Sequence, residues 1–199
     1  MDHLSLFTAC ARSSKLYDDL LFATIVSSCF YGCHHSGELV QCNDKSLFNW
    51  RKIIKRSSLT FFGDHVQYCL PYHKGDPFYH GTDVLFTPQD IANPVTLLTK
   101  YIELHDKHHG AAASLFIHED GSQLTHSWFD SIFFSILYHS FGGHSARAGG
   151  ATFYASLGLT EDIIQALGCW SSAAWKFYIR ENPTICAELQ LAAIWLCHS

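Results

Sequence analysis

The chain has 199 residues, 48% of them hydrophobic and 15% aromatic, which is enough for one buried core and too apolar for a disordered tail. Only 16% of the residues are charged, and 18 acidic against 13 basic side chains give a formal net charge of -5. This balance disfavours a protein that coats DNA without selectivity.

The eight cysteines are scattered, mostly in apolar or helical surroundings, and they form no paired Cys-x-x-Cys frames. This distribution is typical of reduced thiols in an intracellular protein. No basic-then-apolar leader opens the sequence, and no run of about 18 apolar residues exists to span a bilayer. We therefore expect a soluble intracellular protein without a membrane partner.

The first half of the chain predicts helix followed by a small sheet. A helix with one broad apolar face runs from Leu20 to Phe30 and can be capped by Asp18 or Asp19, and a short helix is expected around Glu38. From residue 57 the apolar period changes to that of strands. The three predicted strands, separated by turns, are SSLTFF, HVQYCLPY and TDVLFTP.

Helix predominates in the second half. Asn93 and Pro94 open a helix that continues to Gly110, since proline at the first helical position needs no N–H partner. A short extended piece and a turn at Gly121 follow. Later helices are expected through Phe129–Leu137, from Ser145 to Gly158, after a cap at Thr160, and after Ser171 and Thr184.

This order of elements predicts a single, mainly helical α+β domain over residues 1–199, with one three-stranded antiparallel sheet. The core is expected over about 16–183, with a last helix at 184–198. No internal repeat or long linker divides the chain.

The segment from His144 to Arg180 gathers residue types that phosphodiester chemistry uses. His144 and Arg147 are three positions apart, so a helix that begins just after His144 places both near its amino-terminal end. Unpaired N–H groups at such an end favour a bound phosphate. Trp170 follows in Gly-Cys-Trp, and Tyr178 follows in KFYIRE.

The order His-x-x-Arg, Gly-x-Trp, Tyr-Ile-Arg resembles the catalytic end of the tyrosine recombinases, integrase-like enzymes that break and rejoin DNA, here of the eukaryotic mobile-element type. The resemblance implies an integrase-like catalytic domain without the amino-terminal core-binding domain that normally clamps DNA. It also implies duplex DNA as partner, a 3′-phosphotyrosine intermediate, no small-molecule cofactor and a nuclear location. The apolar last helix either docks on a second copy bound to the DNA or is buried within the chain.

The resemblance also assigns roles to individual residues. Tyr178 is the expected nucleophile, and Arg147 is the expected phosphate-binding guanidinium, with His144 as its partner. Trp170 stands where relatives have His or Trp near the scissile phosphate, and a core aromatic explains it equally well. Lys74, on the turn between the second and third strands, resembles the hairpin lysine that protonates the leaving oxygen.

The largest departure from the family pattern lies in GCHHSGEL, where relatives show Leu-Arg-x-Gly-Glu-Leu. Counting back three from Glu38 places His35 where the first arginine is expected, and Cys169 stands where relatives often have a basic residue. At neutral pH a histidine offers fractional charge and one donor. Since losing a catalytic arginine in phosphoryl transfer can cost roughly a thousandfold, we predict impaired or absent strand cleavage.

Two alternatives remain. The chain can be a catalytically inactive integrase fold, derived from a mobile element, that binds DNA or a protein. Cys29, Cys33, His34 and His35 suggest a zinc module, but structural zinc sites show two defined ligand pairs and the second is missing, so we expect no metal. The candidate DNA contacts outside the catalytic set are Arg51, Lys52, Lys55, Arg56 and Arg180.

Overall fold

The structure is a computed structural model, and it describes residues 17–73, 76, 78–110, 112–136, 145–170, 172 and 176. None of the helices in these ranges combines the length and apolar character needed to cross a membrane. The described elements are α1 Tyr17–Tyr31, α2 Ser36–Leu39, β1 Thr60–Phe62, β2 His65–Leu70, β3 Thr82–Phe86, α3 Pro94–His109, α4 His126–Ile136, α5 Ser145–Ser156 and α6 Glu161–Leu167, with 3-10 turns at Lys45–Leu47, Trp50–Lys52 and Arg56–Ser58.

Helix α1 forms the centre of the core and packs against α3 and α5. The prediction of a single apolar face was wrong, because α1 is buried on nearly all sides. Two of its buried hydroxyls are satisfied inside the core: the Thr24 hydroxyl donates to the carbonyl of Leu20 at 2.7 Å, and the Ser27 hydroxyl donates to that of Ala92 at 2.6 Å. These short bonds remove the cost of burying two hydroxyls.

The start of α1 also differs from the prediction. Asp18 lies within the first turn of the helix and does not cap it. Its carboxylate accepts hydrogen bonds from the ring of His118 at 3.0 Å and from the N–H of Glu119 at 3.1 Å. The aspartate therefore ties α1 to the segment that precedes α4, a partner one hundred residues away.

The three-stranded antiparallel sheet is confirmed, with β2 between β1 and β3. Val66, Tyr68 and Leu70 of β2 face the core, because successive side chains on a strand alternate between its faces. The strands are shorter than predicted. In place of the start of the first strand, the chain makes a 3-10 turn at Arg56–Ser58.

The helix predicted after Asn93-Pro94 is confirmed as α3. The side chain of Asn93 accepts from the N–H groups of Val95 and Thr96, Pro94 occupies the first turn, and the helix ends at Gly110. Thr160 stands in the capping position of α6 with extended backbone, but its side chain makes no capping hydrogen bond. Thr160 therefore occupies the predicted capping position without making the capping hydrogen bond.

Helices α1, α5 and α6 end in the same tight turn. In each, one residue with left-handed backbone donates its N–H to the carbonyl three residues back, and the next N–H reaches five residues back. Gly158 fills this position after α5 with φ 79°, as is usual, whereas Cys33 and Cys169 fill it after α1 and α6 with φ 49° and 51°. These two cysteine turns lead directly into His34 and Trp170, so they set the course of both predicted site segments.

Candidate active site

Arg147 lies in the first turn of α5, which begins at Ser145 as predicted, and its side chain is buried, with the residue only 7% exposed. One terminal amino group donates to the carbonyl of Gly168 at 2.5 Å, and the guanidinium carbon lies 4.4 Å from the centre of the Trp170 ring. The Nε–H has no hydrogen-bond partner among the described residues. The guanidinium is therefore confined within the fold, with its buried Nε–H unpaired among the described residues.

Trp170 is held against Arg147 by the local backbone. A Cβ on Gly168 would lie 1.8 Å from the Trp170 ring, so only glycine permits this close approach. The Gln165 side-chain amide donates to the carbonyl of Trp170 at 3.1 Å. In Gly-Cys-Trp, the glycine therefore leaves room for the indole ring, and the cysteine adopts the left-handed backbone of the turn.

Helix α5 approaches α1 closely through glycine. A Cβ on Gly150 would lie 1.9 Å from the carbonyl oxygen of Phe30 and 3.1 Å from the sulfur of Cys33. The hydroxyl of Tyr154 donates to the carbonyl of Tyr31 at 2.7 Å, which fixes the same contact further along. The Ala-Gly-Gly-Ala stretch therefore brings the helix that carries Arg147 onto the end of α1.

Glu38 is the acidic partner on the opposite side of the site. Its carboxylate accepts from the N–H of His35 at 3.0 Å and lies 3.5 Å from the ring Nδ1 of His34. Burial alone would raise the pKa of Glu38, but His34, the positive charge of Arg147 and the His35 N–H together hold that pKa below its ordinary value. The carboxylate therefore stays ionised within the site.

The two adjacent histidines have different surroundings. His34 is 3% exposed and stacks on Tyr68, with ring centroids 5.9 Å apart, and its Nε2 has no partner among the described residues. His35, the residue predicted to replace the first arginine, is partly exposed and caps α2. Counting along the motif identified only His35, and the adjacency of two histidines was the one signal that could have pointed to His34.

The thiols around Arg147 are poor nucleophiles. Burial raises the pKa of Cys33 to about 12 and also raises those of Cys29 and Cys169, while the nearby Arg147 charge opposes each shift. The five described cysteines are free. Within the described part of the chain, His, Cys, Asp and Glu side chains form no group of three that could hold a metal ion.

An open cleft of about 570 Å³ lies beside Trp170. His73 and Thr82, from the two sides of the β2–β3 hairpin, line it together with residues of α6 and the turn after it. The cleft therefore brings the hairpin and the α6 region to one surface, and Arg147 is buried against the Trp170 ring that lines it. We call it the Trp170 cleft.

The predicted basic cluster is divided by the structure. Arg51 and Lys55 line a second cleft, described below. Lys52 lies with its ammonium 4.2 Å from the ring centre of Tyr72. Arg56 instead makes a two-pronged ion pair with Asp106, at 2.9 and 2.7 Å, which lowers the pKa of that carboxyl. Its guanidinium is thus already engaged.

Several predicted residues lie outside the described ranges. These positions include the expected nucleophile and the expected general acid. The predicted last helix at 184–198 also falls there. The residues concerned are Lys74, His144, Tyr178 and Arg180.

No protein-family profile and no curated protein matches this sequence. Among solved structures, the chain is similar to XerA recombinase, with a TM-score of 0.72 and 18% identity over 96% of this chain and 61% of that one. It is also similar to XerH site-specific recombinase bound to difH substrate in a pre-cleavage complex. There the TM-score is 0.59 and the identity 14%, and the match covers 96% of this chain and 51% of that one. A third similar structure is that of the Tn1549 transposon integrase in complex with circular intermediate DNA. The TM-score is 0.54 and the identity 13%, and the match covers 94% of this chain and 61% of that one.

This structural similarity establishes the fold, which is the integrase-like α+β fold with a small three-stranded sheet that the sequence predicted. The chain spans about half to three-fifths of the length of the structures it matches.

Proposed function

We propose that this chain acts on duplex DNA as a tyrosine-recombinase-type strand transferase with a weakened cleavage step. The observation that carries the proposal is the guanidinium of Arg147, which lies against the Trp170 ring that lines the Trp170 cleft and keeps its buried Nε–H without a partner among the described residues. Two of the matching structures are described as DNA complexes, which supports DNA as the partner. In this proposal the chain derives from a eukaryotic mobile element and works in the nucleus.

The chemistry follows from the residue types. The phenolic oxygen of Tyr178 attacks the phosphorus, the bond to the 5′-oxygen breaks, and a 3′-phosphotyrosine forms. Arg147 stabilises the charge that develops on the non-bridging oxygens. His144 is suited to accept the phenol proton, and Lys74 to donate a proton to the leaving oxygen. A 5′-hydroxyl of a second strand then reverses the step and rejoins the DNA.

The weakening is assigned to His35. An arginine offers a permanent charge and a planar fork to two phosphate oxygens, while an imidazole offers one donor and only partial charge at neutral pH. The neighbouring His34 does not compensate, because it is buried and directed at Glu38. We therefore expect slow formation of the covalent intermediate.

A covalent capture assay tests the proposal. A pool of nicked duplexes with randomised sequence is incubated with the protein, and denaturing gels separate covalent adducts from free DNA. We expect the unmodified chain to form an adduct slowly and Tyr178→Phe to form none. His35→Arg should form it at least tenfold faster, since a missing catalytic arginine can lower the rate of phosphoryl transfer roughly a thousandfold. If neither the unmodified chain nor His35→Arg forms an adduct, the enzymatic proposal fails.

A second candidate is DNA binding without cleavage. It is favoured by the burial of Arg147 and by its bond to Gly168, since a guanidinium already used inside the fold has less to offer a phosphate. This candidate predicts salt-sensitive retention of duplex DNA on native gels with no adduct on denaturing gels. The two gels run side by side distinguish the candidates.

A further inference from the structure

The segment Lys45–Lys52 presents an exposed tryptophan in a fixed position. Asp44 and Asn49 each accept a hydrogen bond from the N–H two residues on, and so start two consecutive 3-10 turns. Trp50 packs edge-on against Phe48 with ring centroids 4.5 Å apart, yet it remains 70% exposed. Exposing a large indole to water is unfavourable, and no described contact within the fold offsets this cost. The exposure of Trp50 in a fixed position therefore favours a ligand-binding role.

A second aromatic group faces this segment from the hairpin. Tyr72 and Tyr79 lie at the two ends of the β2–β3 connection, with ring centroids 4.9 Å apart. The side-chain amide of Asn49 donates to the hydroxyl of Tyr79 at 3.1 Å and joins the two groups. Lys52 lies over the Tyr72 ring at 4.2 Å, and Arg51 lies near that of Tyr79 at 6.0 Å, so cations cover the aromatic faces.

Between the two groups lies a cleft of about 460 Å³, a volume typical of small-ligand sites. We call it the Trp50 cleft. Its lining contains the cations Arg51 and Lys55 besides aromatic and apolar groups, and also His80, whose ring Nδ1 lies 3.3 Å from the carboxylate of Asp76. The nearby Asp76 is occupied, because it accepts from the N–H groups of Phe78 and Gly81. The lining residues are Trp50, Arg51, Ile53, Lys55, Ser58, Cys69, Pro71, Tyr79, His80 and Gly81.

We propose that the Trp50 cleft binds an unpaired nucleotide of single-stranded DNA, with the base stacked on Trp50 and the phosphates contacted by Arg51 and Lys55. Exposed aromatics flanked by cations are the arrangement that binds single strands. Bases in an intact duplex are stacked on one another and offer no free face to an indole, so the cleft selects unpaired strand. In a chain with net charge -5, Arg51 and Lys55 give this cleft two cations with which to contact DNA phosphates.

The position of the cleft connects it to the proposed function, on which this inference rests. The Trp50 cleft and the Trp170 cleft border the same hairpin, the first through Cys69 and Gly81 and the second through His73 and Thr82. Strand exchange requires base pairs beside the cut to separate. The hairpin that both clefts share therefore connects the proposed site of cleavage with an indole that can hold a released base.

The test measures binding of a labelled oligothymidylate of about 12 nucleotides, within the length such clefts cover, and of a blunt duplex of equal length. We expect Trp50→Ala to weaken oligothymidylate binding about tenfold, in line with the stacking contribution of one base, and to change duplex binding less than about twofold. Trp50→Phe should restore most of the affinity. Leu47→Ala, an exposed apolar change in the same segment and outside the cleft lining, should have no effect.

The salt dependence separates stacking from charge. Trp50→Ala should leave the slope of log affinity against log salt unchanged, whereas Arg51→Gln should reduce its magnitude by about 0.7 on the single strand. Equal losses on both DNAs, or no loss with Trp50→Ala, would overturn the proposal. Covalent capture is measured separately. If an adduct forms but Trp50→Ala leaves oligothymidylate binding unchanged, only this inference is contradicted. If Trp50→Ala weakens that binding but no adduct forms, only the enzymatic proposal is contradicted.

Discussion

The guanidinium of Arg147 lies 4.4 Å above the Trp170 ring and donates to the carbonyl of Gly168, two residues earlier. One side chain therefore fixes the turn after α6 from both sides. The same group is the proposed phosphate ligand, so its structural and chemical roles are coupled.

Replacing Arg147 separates these two roles. Arg147→Lys keeps the charge and loses the planar fork, so we expect covalent capture to disappear while the fold persists. Arg147→Met also leaves the Gly168 carbonyl unpaired, and it should lower the free energy of unfolding by about 2 kcal/mol. Urea unfolding followed by fluorescence measures the second effect. Unchanged stability with Arg147→Met would contradict the bond to Gly168.

Two neighbouring glycines provide a matched pair. A methyl at Gly150 would meet the backbone oxygen of Phe30 at 1.9 Å, whereas one at Gly149 would meet the Phe30 ring at 2.8 Å. A ring can rotate away and backbone cannot, so Gly150→Ala should cost about 3 kcal/mol and Gly149→Ala clearly less. Thermal unfolding of both variants checks the order. Equal losses would mean that α5 does not approach α1 as described.

The ionised Glu38 gives the stability a pH dependence. Its pKa is lower in the folded chain than in the unfolded one, so its contribution is present above the ordinary value of 4.5 and is lost as the pH falls through the lowered pKa. We expect Glu38→Gln to cost about 2 kcal/mol at neutral pH. The difference in unfolding free energy from the unmodified chain should shrink as the pH falls below 4.5 and vanish below the lowered pKa of Glu38.

Urea titrations across that pH range measure this difference. A difference between the two chains that stays constant to low pH would show that Glu38 is not held ionised by His34 and Arg147.

The basic cluster predicts unequal contributions to DNA binding. Lys55 lines the Trp50 cleft, while Arg56 is paired with Asp106. Lys55→Gln should therefore reduce the salt slope on single-stranded oligothymidylate by about 0.7, and Arg56→Gln by much less. Arg56→Gln should cost less than about 1 kcal/mol in stability, since the pair is partly exposed. Equal changes in slope would assign both cations to phosphates.

The sequence predicted those elements whose signals are local. Alternating apolar residues identified β2, and the Asn93-Pro94 pair identified the start of α3, because capping and periodicity depend on near neighbours. The left-handed turns at Cys33 and Cys169 were not predictable, since glycine is expected there and the surrounding packing imposes the conformation.

Long-range partners were equally hidden from the sequence. Asp18 was assigned to a helix cap but binds the segment before α4, and Arg56 was assigned to DNA but binds Asp106, fifty residues on. Both outcomes depend on tertiary contacts that spacing along the chain does not reveal. In the same way, Arg147 and Trp170 were predicted individually, while their stacking on each other was visible only in the fold.

The central claim is that a tyrosine at position 178 becomes joined to DNA at the site built around Arg147. Covalent adducts of the unmodified chain and of His35→Arg are digested with nuclease and protease, and mass spectrometry identifies the residue that carries the remaining nucleotide. We expect a nucleotide on Tyr178 in both proteins, with more of it in His35→Arg. A nucleotide on any other residue, or on none in either protein, would contradict it.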